Sequence, residues 1–115
     1  MPIRTLEKPN LSELVGVPEK YIIFYSSVVD GELWCPHCRN VENRVRDTFS
    51  GADAPALLVV YVGDRPSWKT PEAAYRKAPW SVTGVPTLIK LDSEGKEVAR
   101  VTAEKILEEV DELIR

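Results

Sequence analysis

Both cysteines of the chain and its one histidine lie within four consecutive residues. The segment from Cys35 to Cys38 encloses Pro36 and His37, and Trp34 comes directly before it. Thiols three residues apart on the first turn of a helix lie on one face and can close a small disulfide ring. Because a thiolate attacks disulfide sulfur in exchange reactions, this pair has the composition of a redox centre.

A helix that starts at this segment would give the two cysteines different roles. Pro36 fits the first helical position, where its missing N–H costs nothing, and Cys35 then becomes the N-cap. The positive end of the helix dipole stabilises a thiolate there, so Cys35 is predicted to be the nucleophile. Cys38 lies one turn deeper and is predicted to resolve the mixed disulfide. A protonated His37 would further favour the thiolate and tune the reaction.

The composition limits the other kinds of protein that this chain could be. Its 115 residues are 43% hydrophobic and 29% charged, which is typical of one ordinary globular domain covering residues 1–115. The formal net charge of −3 disfavours nucleic acid and anionic membranes as partners. Half of a zinc site is the alternative for the cysteine pair. Structural zinc usually takes four Cys or His ligands and the chain has three, so no metal is predicted.

The N-terminal segment and the cysteine usage bear on the cellular compartment. The first ten residues contain no apolar run of the kind found in a secretory signal, and no stretch approaches the length of a membrane span. The sequence therefore favours a cytoplasmic location. In a reducing compartment, a Cys-x-x-Cys pair indicates redox chemistry or metal binding and not a structural disulfide.

Apolar runs and alternating patterns predict four strands, at residues 21–25, 57–62, 87–91 and 97–101. The first two are continuous apolar runs, which are typical of strands buried on both faces. The last two are joined by a turn at residues 92–95, which predicts a hairpin at a sheet edge.

Helix-start signals predict four helices, which begin at Asn10, Cys35, Thr70 and Thr102. The helix from Cys35 carries an apolar stripe that includes Cys38 and ends at Ser50. Residues 26–33 and 63–69 are predicted to be loops. Strands separated by helices predict an α/β fold, a thioredoxin-like three-layer α/β/α sandwich whose mixed central sheet has helices on both faces.

Three motifs, in this order, resemble one family within that fold. Residues 34–38 (Trp-Cys-Pro-His-Cys) and 62–69 (Val-Gly-Asp-Arg-Pro-Ser-Trp-Lys) are similar to two signatures of the Clot group, the thioredoxin domain-containing protein 17 family. Residues 85–88 (Val-Pro-Thr-Leu) look like the cis-proline segment common to thioredoxin folds. The resemblance extends from Tyr21 to Lys96.

The resemblance implies an activity and a set of partners. It implies a cytosolic dithiol–disulfide oxidoreductase, a protein-disulfide reductase that also reduces small disulfides such as cystine. Electrons would come from NADPH through thioredoxin reductase or thioredoxin, with no bound cofactor, and we expect a monomer. Val85 and Pro86 would hold the substrate, and Trp34 and Trp68 would line its groove.

Two positions differ from the pattern of the family. His37 stands where the family has Asp and gives a Pro-His pair like that of a periplasmic oxidase, so a more oxidising disulfide donor is one alternative. Thioredoxins keep a buried Asp on a strand near the second cysteine, but Phe24 falls at that position here. Glu42, one turn after Cys38, is therefore the candidate acid–base residue. A second alternative is an interaction module whose cysteines sense redox state.

Overall fold

A mixed sheet of five strands lies at the centre of the computed structural model, which describes residues 3–115. The strands in chain order are β1 (Ile3–Glu7), β2 (Tyr21–Tyr25), β3 (Val28–Val29), β4 (Glu32–Leu33), β5 (Leu57–Tyr61), β6 (Thr87–Leu91) and β7 (Glu97–Thr102). The sheet order is β1-β5-β2-β6-β7, while β3 and β4 form a separate hairpin. The first three strands of the sheet run parallel, and β6 and β7 add antiparallel pairs.

The helices are α1 (Pro36–Phe49), α2 (Arg65–Trp68) and α3 (Lys105–Leu113), and two short 3-10 helices cover Leu11–Leu14 and Ala74–Arg76. The predicted apolar stripe of α1 is buried, and Cys38 belongs to it. None of the helices within residues 3–115 has the length and apolar character needed to cross a membrane.

The two faces of the sheet are covered by different kinds of structure. On one face, α1 and α3 pack over Ile23 and Tyr25 of β2. On the other, the short helices and irregular chain bring Tyr75 and Trp80 against Phe24. Every residue of β2 is buried as a result, which explains its continuous apolar sequence. The predicted α/β sandwich with a mixed sheet is therefore confirmed.

Some elements differ from the prediction. β1 was not predicted because it is a short edge strand in which three of the five residues are exposed, and its stability depends on contacts with distant parts of the chain such as its pairing with β5. The predicted loop at residues 26–33 contains the hairpin of β3 and β4. The predicted loop at 63–69 contains α2, which is a single turn capped by Asp64.

Two predicted helix starts are wrong. The chain after Thr70 forms only a turn and the 3-10 helix Ala74–Arg76, although Thr70 Oγ accepts the Glu72 N–H as the side chain of a helix cap would. Thr102 does not cap the last helix. It remains in β7, paired with Thr87, and α3 starts at Lys105 with Glu104, two residues after Thr102, at its N-cap position.

Candidate functional site

Cys35 occupies the N-cap position of α1, where the extended backbone (φ −93°, ψ 121°) turns into the helix at Pro36. Its backbone N–H donates to Ser26 Oγ at 3.0 Å, and its thiol donates to the Val85 carbonyl oxygen at 3.6 Å. Two different loops therefore fix this residue. Cys35 is buried, with an exposed fraction of 7% for the whole residue.

Cys38 lies one helical turn further on and is completely buried. Its Sγ accepts the Ser26 N–H at 3.4 Å. Burial raises the pKa of the Cys38 thiol to about 12, and a charge on Cys35 acts in the same direction, while the Ser26 N–H acts against both. Both cysteines are free thiols, so the structure represents the reduced form. Cys38 must lose its proton before it can act as a nucleophile.

Ser26 contacts both cysteines and was missed by the sequence analysis. It is completely buried, its hydroxyl accepts the Cys35 N–H, and its own N–H donates to Cys38. Ser27 beside it donates to Glu7 Oε2 at 2.6 Å and accepts the Gly63 N–H at 2.8 Å. A serine in a polar segment carries no local sign of such a role. The one available signal was its position at the carboxyl end of a parallel strand.

Trp34 forms one wall of the site. Its indole Nε1–H donates to the Gly63 carbonyl at 2.8 Å. Its half-buried ring packs against the buried side chains on both faces of the sheet. Gly63 has a φ of 108°, and a Cβ there would come within 3.2 Å of Ser67 Cβ, so only glycine fits this turn. The guanidinium of Arg65 lies 4.7 Å from the centre of the Trp34 ring.

The segment before β6 forms a second wall of the site. The Val85–Pro86 peptide bond is cis, the Val85 carbonyl accepts the Cys35 thiol, and the Pro86 carbonyl accepts the Ala103 N–H at 3.0 Å. The predicted substrate-holding residues Val85 and Pro86 therefore lie beside the predicted nucleophile. Ala103 connects the same segment to the start of α3.

The ring of His37 contacts Glu104 and makes no hydrogen bond to either thiol. Its Nδ1 lies 2.8 Å from Glu104 Oε2, and Asn40 Nδ2 donates to the same oxygen at 3.0 Å. Asn40 and His37 together hold the pKa of the Glu104 carboxyl below its ordinary value. The helix with the two cysteines is thereby joined to the start of α3.

Trp68 does not line the groove, and the prediction that it does is wrong. Its exposed fraction is 1%, because its ring fills the core beneath α2. The guanidinium of Arg76 covers it at 3.9 Å from the ring centre. The local sequence around Trp68 does not show whether its ring is exposed or buried, so the sequence could not predict this outcome.

Glu42 is half-buried and lies one turn after Cys38, beside a cavity of about 90 Å³ that Tyr25 also lines. Tyr25 lies on the same face of the sheet as Cys38, as do Tyr21 and Ile23, whereas Phe24 lies on the opposite face. Its buried hydroxyl has no hydrogen-bond partner within residues 3–115. Burial raises the pKa of Tyr25, and charges on Cys38 and Glu42 raise it further. Tyr25 thus shares its core packing with the buried Cys38 and the lining of the cavity with Glu42.

The family follows from a match that covers most of the chain. Residues 7–112 match the family model described as "Thioredoxin domain-containing protein 17-like, thioredoxin domain". The chain belongs to this family.

Individual relatives agree with the match to the thioredoxin domain-containing protein 17-like family. "Thioredoxin-like protein Clot" of Arabidopsis thaliana is 36% identical over 66 residues, which are 56% of this chain and 49% of that protein. "Thioredoxin domain-containing protein 17" of Mus musculus is 32% identical over 72 residues, 62% of this chain and 58% of that protein. The chain spans about half the length of the curated relatives that it matches.

A solved structure supports the fold. Schistosoma mansoni thioredoxin superposes with a TM-score of 0.61 at 19% identity, covering 96% of this chain and 92% of that chain. The predicted thioredoxin-like fold is confirmed by this likeness. Together with the family, the pair of Cys35 and Cys38 supports thiol–disulfide redox chemistry in general. Within the described part of the chain, no group of three or more His, Cys, Asp or Glu residues is arranged to hold a metal ion.

Proposed function

We propose that the protein is a cytoplasmic dithiol–disulfide oxidoreductase that reduces small-molecule disulfides and selected protein disulfides. One observation carries the proposal. The Cys35 thiol lies at the start of α1 against the Val85 carbonyl with 7% of the residue exposed, and the completely buried Cys38 lies one turn behind it. In this arrangement Cys35 can react with a substrate first, and Cys38 is available to resolve the mixed disulfide.

The reaction takes place in two exchange steps. The Cys35 thiolate attacks one sulfur of the substrate disulfide, the S–S bond breaks, and the departing thiolate takes up a proton. Cys38 then loses its proton and attacks Cys35 Sγ, which releases the second substrate thiol and leaves a Cys35–Cys38 disulfide. Two electrons pass from the protein dithiol to the substrate. NADPH would restore the dithiol through thioredoxin reductase or thioredoxin, and no bound cofactor takes part.

The second step needs a proton acceptor, because the pKa of Cys38 is raised to about 12 by burial. Glu42 is the proposed acceptor, and its position beside the cavity that Tyr25 also lines supports this role. In this scheme Glu42 takes the proton as Cys38 attacks.

The substrate would bind between the two walls of the site. The Val85 carbonyl, which accepts the Cys35 thiol in the free protein, is proposed to accept a backbone N–H of a bound protein substrate in the manner of an added strand. The half-buried Trp34 ring supplies the apolar surface of the other wall.

The test separates the roles of the two cysteines. Pre-reduced Cys38→Ser protein mixed with cystine should stop at a mixed disulfide that carries one added cysteine on Cys35, detected by mass spectrometry of the intact protein. The wild-type protein should give an internal disulfide with nothing added, and Cys35→Ser should form no adduct. Adducts on Cys35→Ser in place of Cys38→Ser would reverse the roles.

A turnover assay then distinguishes an enzyme from a redox sensor. With NADPH, thioredoxin reductase and thioredoxin present, the wild-type protein should reduce many equivalents of cystine, above the rate without it. A sensor would consume about one equivalent and stop. Cys38→Ser is the matched control, because it can form the first adduct but cannot complete the cycle.

A further inference from the structure

Arg65 is an exposed cation that contacts Trp34, the residue directly before the nucleophile. Its guanidinium lies over the Trp34 ring, 4.7 Å from the ring centre, and its Nη donates to the Trp34 carbonyl oxygen at 3.4 Å. That carbonyl belongs to the peptide bond that joins Trp34 to Cys35. The charge is therefore positioned next to the backbone of the residue that attacks the disulfide.

Within residues 3–115, no carboxylate pairs with Arg65, whereas the other charged groups near the start of α1 have partners. Arg39 pairs with Glu32 at 3.5 Å, and His37 contacts Glu104. Asp64, next to Arg65 in the chain, accepts the Ser67 N–H at 3.0 Å and caps α2. The positive charge of Arg65 is thus not neutralised by any described side chain.

The guanidinium has two contacts with Trp34 and still has free donors. It lies over the indole ring and donates to the Trp34 carbonyl, and Trp34 is itself held by its bond to Gly63 at 2.8 Å. One nitrogen of the guanidinium is used by the Trp34 carbonyl. The remaining N–H groups match the two oxygens of a carboxylate, for which arginine is better suited than lysine.

We infer that Arg65 is a specificity residue that binds the carboxylate of small disulfides as their sulfur meets Cys35. This inference rests on the proposed function and adds a substrate class to it, namely small disulfides that carry a carboxylate a few bonds from the sulfur. The carboxylate binds at the outer edge of the guanidinium, and the carbon chain of the substrate lies along the Trp34 ring.

Three small disulfides with two-carbon arms test the inference. They are 3,3′-dithiodipropionate, which is anionic, bis(2-hydroxyethyl) disulfide, which is neutral, and cystamine, which is cationic. Pre-reduced protein is mixed with each disulfide in excess at low salt, and the second-order rate constant for loss of its thiols is measured by acid quench and alkylation. No reductase is needed, so the reaction at this site is measured alone.

Arg65→Gln should lower the anionic-to-neutral ratio of rate constants about three- to fivefold and raise the cationic-to-neutral ratio, the range expected for one exposed ion pair. The ratios of Arg65→Lys should lie between those of the wild-type protein and those of Arg65→Gln, because lysine keeps the positive charge but lacks the planar guanidinium with its paired N–H donors. The effect should nearly vanish in about 1 M salt, where the Debye length is about 3 Å.

Arg44→Gln is the matched control, since it removes the same charge from an exposed site on α1 where Arg44 pairs with Asp111. Its ratios should stay close to those of the wild-type protein. Unchanged ratios in Arg65→Gln, or an equal change in Arg44→Gln, would overturn the inference and leave the proposed function intact. A wild-type protein that reacts with none of the three disulfides would instead refute the proposed function, and this inference with it.

Discussion

His37 shows how one residue combines a local and a distant contribution. Its place between the cysteines predicts that a protonated ring favours the thiolate. Its contact with Glu104 adds a negative charge to the same neighbourhood, which opposes that effect. Glu104 lies 67 residues away in the chain and could not be assigned to the site from sequence. The predicted tuning role of His37 therefore depends on the sum of both charges.

The substitution His37→Asp tests how the charges at positions 37 and 104 together affect the Cys35 thiolate. It places a carboxylate near the Cys35 thiolate and opposite Glu104, so the reduced protein should be less favoured and the disulfide less oxidising. We expect the reduction potential to fall by about 30 mV, which corresponds to about 1.4 kcal/mol in a two-electron couple. A glutathione redox titration at pH 7 measures it. His37→Gln, which adds no charge, should shift the potential less, and a variant that is equally or more oxidising contradicts the expectation.

The elements that hold the site were predictable where local pattern and packing agree. Pro36 and the apolar stripe placed the start and the buried face of α1 correctly, and the apolar run placed β2. The start of α3 was not predictable. Between β7 and α3 the chain turns through Ala103, whose φ of 53° is rare for a residue with a Cβ, and no sequence signal marks it. The N–H of Ala103 still bonds to Pro86, so this turn supports the site.

Ala103→Gly should stabilise the protein, because glycine adopts a positive φ without the steric cost that alanine has there. The larger backbone freedom of glycine in the unfolded chain offsets part of the gain, which leaves about 0.5–1 kcal/mol. Urea unfolding of the reduced protein measures it. Ala99→Gly in β7 is the matched control and should destabilise, since the position is in a paired strand. Equal losses in both variants would show that the turn carries no strain.

On the scale of the whole molecule, the site assembles from segments that are far apart in sequence. Ser26 and Gly63 follow the parallel strands β2 and β5, so the two turns meet at the carboxyl edge of the sheet, where α/β folds place their sites. The sequence alone predicted which strands are buried and therefore the region of the site. It could not show that Ser26 bonds both cysteines or that Trp68 turns inward, because those outcomes depend on packing between distant elements.

An ion pair joins the edge strand β1 to the residues before β2, and its contribution to stability depends on pH. Arg4 of β1 donates to both carboxylate oxygens of Glu19, at 2.8 and 3.0 Å, and Glu19 is only 5% exposed just before β2. The Arg4 guanidinium holds the pKa of Glu19 below its ordinary value. A carboxyl whose pKa is lowered in the folded state adds stability above its unfolded pKa, and the contribution disappears as the pH falls through the folded pKa.

Glu19→Gln should therefore lower the free energy of unfolding by about 1 kcal/mol at pH 7, which is at the upper end for ion pairs with one exposed partner. Near pH 3 the difference from the wild-type protein should be smaller, because the pH is then closer to the lowered pKa of Glu19 and a larger fraction of the wild-type carboxyl is protonated and resembles the amide. Urea unfolding at both pH values measures the two differences. Glu109→Gln, at an exposed position of α3, should change stability little at either pH. A Glu19→Gln deficit of the same size at both pH values would mean that the amide disturbs packing and that the ion pair contributes nothing to holding β1 against the core.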